Sequence, residues 1–287
     1  MATTTPPRAT AAQLRRPARN RPVPRPSTVG KFVVLGVAAF LTLGPVAWTV
    51  WTSFRPQVAG AGVQPGFSAY VDVFAQTDVL LLVWNSVLVT ALCALGQMVT
   101  AALAGYVFAR VEFRGSGALF AVVLATMMVP LQVTIVPVFM LIRGMGLSDT
   151  LLALILPAIP TAFGTFLMRQ YFLGLPDDLA EAAAIDGAGP LRTFTSVYAP
   201  LALPGLAIVG ILAFNYHWNE FFRPLILTVS ERNFTMPLGL VSLQGNLGTG
   251  SVATVLAGVV LSMVPALLVF VFGQRPLREG LTAGVGK

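Results

Sequence analysis

The sequence predicts an all-α integral membrane protein with six transmembrane helices, and three observations predict it. Apolar residues make up 56% of the 287-residue chain and charged residues 10%, far from the roughly 25% charged of a soluble domain. Mean hydropathy is +0.80. Windows of about 20 apolar residues, enough to cross a hydrocarbon core, fall near residues 32–53, 80–108, 118–142, 150–172, 200–222 and 251–273.

Before the first window, residues 1–30 carry Arg8, Arg15, Arg16, Arg19, Arg21 and Arg25 among prolines with no acid. Such a stretch cannot bury a core and reads as a disordered basic cytoplasmic tail. Anionic lipid or nucleic acid would each attract it, but orienting the chain is the simpler role, and no nucleic-acid partner is expected. Arg15 and Arg16 do not read as an export signal, because Pro17 to Asn20 follow and the apolar run begins only at Phe32. That run reaches Trp51 through Pro45 without a convincing small-residue cleavage site, so it is expected to stay as the first span.

The second window is long enough to tilt. The remaining spans each contain proline: Pro130 and Pro137, Pro157 and Pro160, Pro204, and Pro265. Membrane helices tolerate such kinks where neighbours satisfy the freed carbonyl, and kinked helices suit a pathway that opens to each side in turn. The residue charges test this layout. With the amino terminus inside, the inner face holds the tail arginines, Lys31, Arg110, Arg114, Arg169, Arg192, Arg275, Arg278 and Lys287, and the outer face only Arg55, Arg143, Arg223 and Arg232. This obeys the positive-inside rule and places both termini in the cytoplasm of a multi-pass protein of the cell membrane.

Between the fourth and fifth windows lies a polar connection, residues 173–200. Pro176, Asp177 and Asp178 open a helix, since proline fits the first turn and carboxylates favour the positive end of the helix dipole. Leu179 to Ile185 are mostly strong helix formers, and Gly187 supplies the backbone that ends them. Pro190 can open a second short helix, expected to finish before Pro200. An amphipathic helix resting on lipid would want a basic polar face, whereas this one carries Asp177, Asp178, Glu181 and Asp186.

Glu181-Ala182-Ala183, then Gly187 and, after nine intervening residues, Val197-x-Ala199-Pro200 resemble the coupling loop of ABC importer permeases. Ala199 departs from the leucine usual there, which weakens one packing contact. Gly105 to Arg110 with Phe113-Arg114-Gly115, Met127 to Pro130, Gly146 to Thr150, Trp218 to Phe222 and Gly280 to Gly284 extend the likeness to the carbohydrate branch, in the manner of a maltose-type second permease subunit. The resemblance covers residues 31–287 and implies a type-1 importer core over about 80–273. It implies that Glu181, Ala182, Ala183, Asp186 and Gly187 dock on an ATP-binding subunit dimer. It implies also a second homologous permease subunit, an extracytoplasmic solute-binding protein and a sugar or polyol substrate. The resemblance also makes the tail from 275 to 287 a candidate for a secondary contact with the ATPase. The chain itself is not expected to be an enzyme or to hold a cofactor, ATP and magnesium belonging to the partner. Gly286-Lys287 ends the chain, so it makes no phosphate-binding loop.

Polar residues inside the spans are candidates for the substrate path: Asn85, Gln132, Asn215 and Asn219. Gln97, His217 and Glu220 share the apolar setting, and for most of these interhelical hydrogen bonding is the competing role. His217 is expected to be packed or hydrogen-bonded, and Asn219 and Glu220 to lie at the outer end of the fifth span in water. One cysteine, Cys93, and one histidine exclude an internal disulfide and a histidine-cluster metal site. They also argue against a membrane enzyme. A permease for another solute class, or an ion-coupled secondary transporter, remains as the alternative function; the latter would more often bury acids within its spans.

Overall fold

The computed structural model describes residues 28–58, 62–245 and 251–283, with side chains of residues 30–56, 62–245 and 251–273. Most of the basic tail and residues 284–287 lie outside the described residues. The chain divides into two units, residues 1–47 and 48–287. Helix α1 (Thr28–Ser53) begins in the first and ends in the second. In the first unit its apolar residues, Phe32, Leu35 and Phe40 among them, are exposed.

Within the second unit a two-residue antiparallel pair, β1 (Gln57–Val58) and β2 (Gly62–Val63), leads to α2 (Ser68–Gln76) and the 32-residue α3 (Val79–Arg110). The Asp78 carboxylate accepts from the Leu81 N–H at 3.1 Å and starts α3. Then come α4 (Ser116–Thr126), α5 (Leu131–Gly144), α6 (Leu151–Ile155) with a 3₁₀ extension to Ala158, and α7 (Ala162–Leu173). They are followed by α8 (Asp178–Ile185), α9 (Pro190–Thr193), a π turn over Phe194–Tyr198, α10 (Ala199–Leu201) and α11 (Leu203–Trp218). The chain closes with α12 (Phe222–Leu227), a short 3₁₀ turn (Glu231–Asn233), α13 (Met236–Gly239) with its 3₁₀ continuation to Gln244, and α14 (Val252–Ala283).

Three helical stretches, Gly30–Ser53, Val79–Arg110 and Val252–Gly273, are each long and apolar enough to cross a membrane. They coincide with the first, second and sixth expected windows. The other three windows are bent pairs, so the count lies between three and six. The expected third span is not one kinked helix: α4 and α5 meet at 98°. Pro130 adopts an extended backbone, φ −70° and ψ 143°, so the helix stops and restarts there, a far larger change than a proline kink. At the fourth window the bend is 41°, with Thr161 extended and its hydroxyl accepting the Gly164 N–H at 3.0 Å. At the fifth it is 71°, at Ala202.

The helix opened by Pro190 does not finish before Pro200; it runs on to Leu201. A proline ring clashes with the carbonyl four residues back. The chain widens into the π turn just before it, with the Ala199 N–H bonding to the Phe194 carbonyl five residues behind.

α3 is the central element, packed on α7 and α11. Small residues allow the approach: Ala101, Ala102 and Gly105 of α3 are buried opposite Met168 and Phe172 of α7. A Cβ on Gly105 would stand 2.6 Å from the Met168 Cβ and 2.9 Å from the Arg169 backbone nitrogen. Cys93, on the same helix, is fully buried against α6 and Ile142 of α5.

Candidate functional site

The 173–200 connection leaves α7 at Gly174 and forms α8. Asp178 and Glu181 occupy its first turn, where the dipole favours acids. The helix ends on Gly187 at φ +73°, the left-handed conformation that glycine reaches without strain. The Ala188 N–H bonds to the Ala183 carbonyl at 2.9 Å and the Gly187 N–H to that of Ala184 at 3.0 Å, a Schellman closure. Pro190 then takes the first turn of α9.

The expected set of docking residues is divided by helix geometry. Glu181, Ala182, Asp186 and Gly187 are exposed, but Ala183 is 7% exposed. It shares a face with Leu179 and Ala180, which pack on the cluster formed by Met168, Phe172, Tyr198 and Leu206. Ala183 is therefore buried within its own chain, and the other four residues of the set are the ones displayed. In its place the loop displays two apolar side chains absent from the expected set, Ile185 at 86% exposure and Leu191 at 74%. Their signal was present in the sequence as apolar residues flanking the Gly187 turn inside a polar connection.

The four path residues are not brought to one place. Asn85 is buried and donates to the carbonyls of Arg232 and Phe234 at 2.8 and 2.9 Å, so it anchors the segment before α13. Gln132 is exposed near the start of α5. Asn215 and Asn219 do meet: the Asn219 amide donates to the Asn215 carbonyl at 2.8 Å, and both line a cavity of about 560 Å³ between α11, the 237–244 segment and α14. Gln244 and Ser262 add two further neutral polar groups, and among the described residues no charged one lines it. Trp218 closes one side, its indole N–H donating to the Ser262 carbonyl at 3.1 Å. Ser262 was legible only as a lone hydroxyl in an apolar run, and Gln244 lies outside the expected spans.

His217 is buried and hydrogen-bonded, as expected. The Gln97 amide nitrogen donates to the Ala158 carbonyl at 2.7 Å and lies 2.9 Å from His217 Nε2. Nε2 thus accepts, and Nδ1 carries the proton toward Glu220 Oε2 at 2.9 Å. Glu220 is not hydrated, contrary to expectation: its side chain is 10% exposed and lies 3.1 Å from Arg223 Nε. Arg223, expected as an outer-loop cation, is likewise buried and donates to the Leu154 carbonyl at 3.1 Å. The chain turns back after Trp218, so the acid and the arginine three residues later meet inside the fold instead of at its surface. Among the described residues no group of three or more potential metal ligands occurs.

Residues 80–277 match a family described as binding-protein-dependent transport system inner membrane component. The chain is 33% identical over 257 residues to the arabinooligosaccharides transport system permease protein AraQ of Halalkalibacterium halodurans, covering 86% of this chain and 91% of that one. It is 32% identical over 260 residues to the lactose transport system permease protein LacG of Rhizobium radiobacter, covering 89% and 95%. Among solved structures, a chain of a bacterial ABC transporter involved in the import of the acidic polysaccharide alginate superposes with a TM-score of 0.74 at 26% identity, covering 86% of this chain and 95% of that one.

Proposed function

We propose, from the premise that this chain belongs to the binding-protein-dependent transport system inner membrane components, that it is a permease subunit of an ABC importer for a neutral sugar or related polyol. In this reading each bent helix pair counts as one span, giving six, and the charge bias sets both termini and the α8 loop in the cytoplasm. A second permease completes the path, a solute-binding protein delivers substrate outside, and an ATPase dimer supplies ATP and magnesium. The basic tail of residues 1–30 precedes a permease domain of residues 31–287, with its importer core near 80–273.

The observation that carries the coupling assignment is the α8 loop. It is an acidic helix closed by a left-handed glycine, with Glu181, Ala182, Ile185 and Asp186 exposed on the face away from the fold. Glu181 offers one charge for a specific pairing, and Ile185 and Leu191 offer apolar area to a cleft. ATP-driven closure of two ATPase subunits would push this loop and rock the spans joined to it.

The cavity beside Asn215 and Asn219 suits the cargo. Its volume falls within the roughly 300–1,000 Å³ of small-molecule sites. Its amides and hydroxyl can hydrogen-bond a hydroxyl-rich molecule, and its described lining offers no cation to pair with a carboxylate or phosphate.

Affinity purification of this chain from detergent tests the assignment. A second permease and an ATPase are expected to copurify, and Glu181→Lys or Gly187→Pro is expected to remove the ATPase while retaining the permease. Recovery of this chain alone, with uptake in vesicles that needs an ion gradient and no ATP, would return it to the secondary transporters.

A further inference from the structure

Arg110 is the last residue of α3, and its side chain is 11% exposed. Its guanidinium gathers contacts from segments on both sides of the α8 loop. Nη2 donates to the Phe172 carbonyl at 2.7 Å and to the Leu175 carbonyl at 2.5 Å, and Nη1 pairs with Asp177. The guanidinium carbon lies 5.3 Å from the ring centre of Tyr198, on the returning chain. Around it Tyr106 packs against Phe172, Phe194 and Tyr198, with ring centres 5.8, 4.9 and 5.3 Å apart.

These contacts tie together pieces that the covalent chain joins weakly. From α7 to α8 the connection is the four residues Gly174 to Asp177, a turn in which Leu175 packs on the cluster around Phe172 and Tyr198. The Phe172 carbonyl belongs to the last turn of α7, the negative pole of that helix, and the Leu175 carbonyl to the turn that follows it, so a cation held by both fixes the direction in which the chain leaves. A planar guanidinium holds two carbonyls and a carboxylate with donors spread in a rigid fork, whereas an ammonium, although it has three donors, is a point charge on a flexible stem.

We infer that Arg110 is the positioning residue that transmits movement of the α8 loop into α3, and so couples ATP hydrolysis to opening of the path. The inference rests on the permease reading above. α3 is suited to receive the movement: at 1.5 Å per residue it is about 48 Å long, and toward its far end Asn85 holds the segment before α13 while the Ser86 hydroxyl accepts the Met236 N–H at the start of α13 at 2.6 Å. Without the guanidinium, the end of α3 would be joined to the loop by non-directional apolar contacts alone, and less of the loop's movement would reach it. The pair with Asp177 is the weaker part, because that carboxylate is 86% exposed and exposed ion pairs contribute little.

The test uses the whole complex in proteoliposomes with its binding protein and sugar, reading sugar imported per ATP hydrolysed. Arg110→Gln and Arg110→Lys are expected to keep the ATPase bound and hydrolysing while the import ratio falls about tenfold or more, the scale of losing charge-assisted hydrogen bonds. Asp177→Asn, which leaves both carbonyl contacts, is expected to lower it less than about threefold. An unchanged ratio in Arg110→Gln overturns the inference, and so does loss of the ATPase from both Arg110 variants, since the strap acts after docking. If the wild-type complex imports without ATP, the permease reading itself fails first.

Discussion

Asp149 stands at φ +55° between α5 and α6, the one non-glycine residue with positive φ among those described. Its carboxylate holds the chain together there: it accepts the Ser230 hydroxyl and the N–H groups of Val229 and Ser230, the latter two at 2.9 and 3.0 Å, and the Asn233 amide at 3.2 Å. Those donors, the Ser230 hydroxyl foremost, hold its pKa well below the ordinary carboxylate value. Because the folded pKa lies below the unfolded one, the stabilisation is complete above about pH 4 and drains away as pH falls further. Asp149→Asn is expected to lower the detergent melting temperature at pH 7 by roughly 2–4 °C, and to flatten the loss of stability below about pH 4. Equal acid sensitivity in the variant would assign that loss to other groups. The sequence showed Asp149 only within a family-like patch; its four donors come from a segment about 80 residues later, a pairing that local pattern cannot reveal.

At the scale of elements, the close crossing of α3 and α7 governs stability. Gly105→Ala places a methyl group against the backbone of α7 and is expected to cost about 1–3 kcal/mol by overpacking. Gly117→Ala is the control, since nothing lies within 4 Å of its added carbon. Melting of the two variants side by side checks this, and equal melting temperatures would refute the close-packing account. The long apolar runs of α1, α3 and α14 were legible because length and hydropathy alone define them. The break at Pro130 was not, because proline permits both a kink and a full stop, and the extended backbone that decides between them belongs to the surrounding packing. The inward turn of Ala183 was hidden for a related reason. Helical period says that residues 179, 180 and 183 share a face, but which face meets the fold depends on Phe172, Tyr198 and Leu206, distant in sequence.

For the molecule as a whole, no one element makes the cavity that we assign to cargo; α11, the 237–244 segment and α14 each supply part of its wall. Its uncharged lining predicts that vesicles carrying the complete complex accumulate a neutral oligosaccharide, and that an excess of neutral sugar competes at least about tenfold better than an equal excess of sugar phosphate or uronate oligomer, as expected when a buried anion is left unpaired. Equal competition by the anions would move the cargo site elsewhere. Asn215 and Asn219 were readable as amides in an apolar run, yet Asn85 looked the same in sequence and is occupied in holding a turn. What separates them is where the amide is held: Asn85 is buried against the backbone of a distant segment, whereas the Asn219 bond runs one turn back along its own helix and leaves both Asn215 and Asn219 exposed.

The one thiol of this chain, Cys93, is sealed between α3, α5 and α6. A buried thiol in apolar surroundings reacts slowly, so the wild-type protein already behaves as a cysteine-free background. A cysteine introduced at Ser196, exposed on the returning arm of the α8 connection and outside the surface assigned to the ATPase, would take a fluorophore or spin label without further engineering, and the motion of the α8 loop could be followed through a full cycle of nucleotide binding and release.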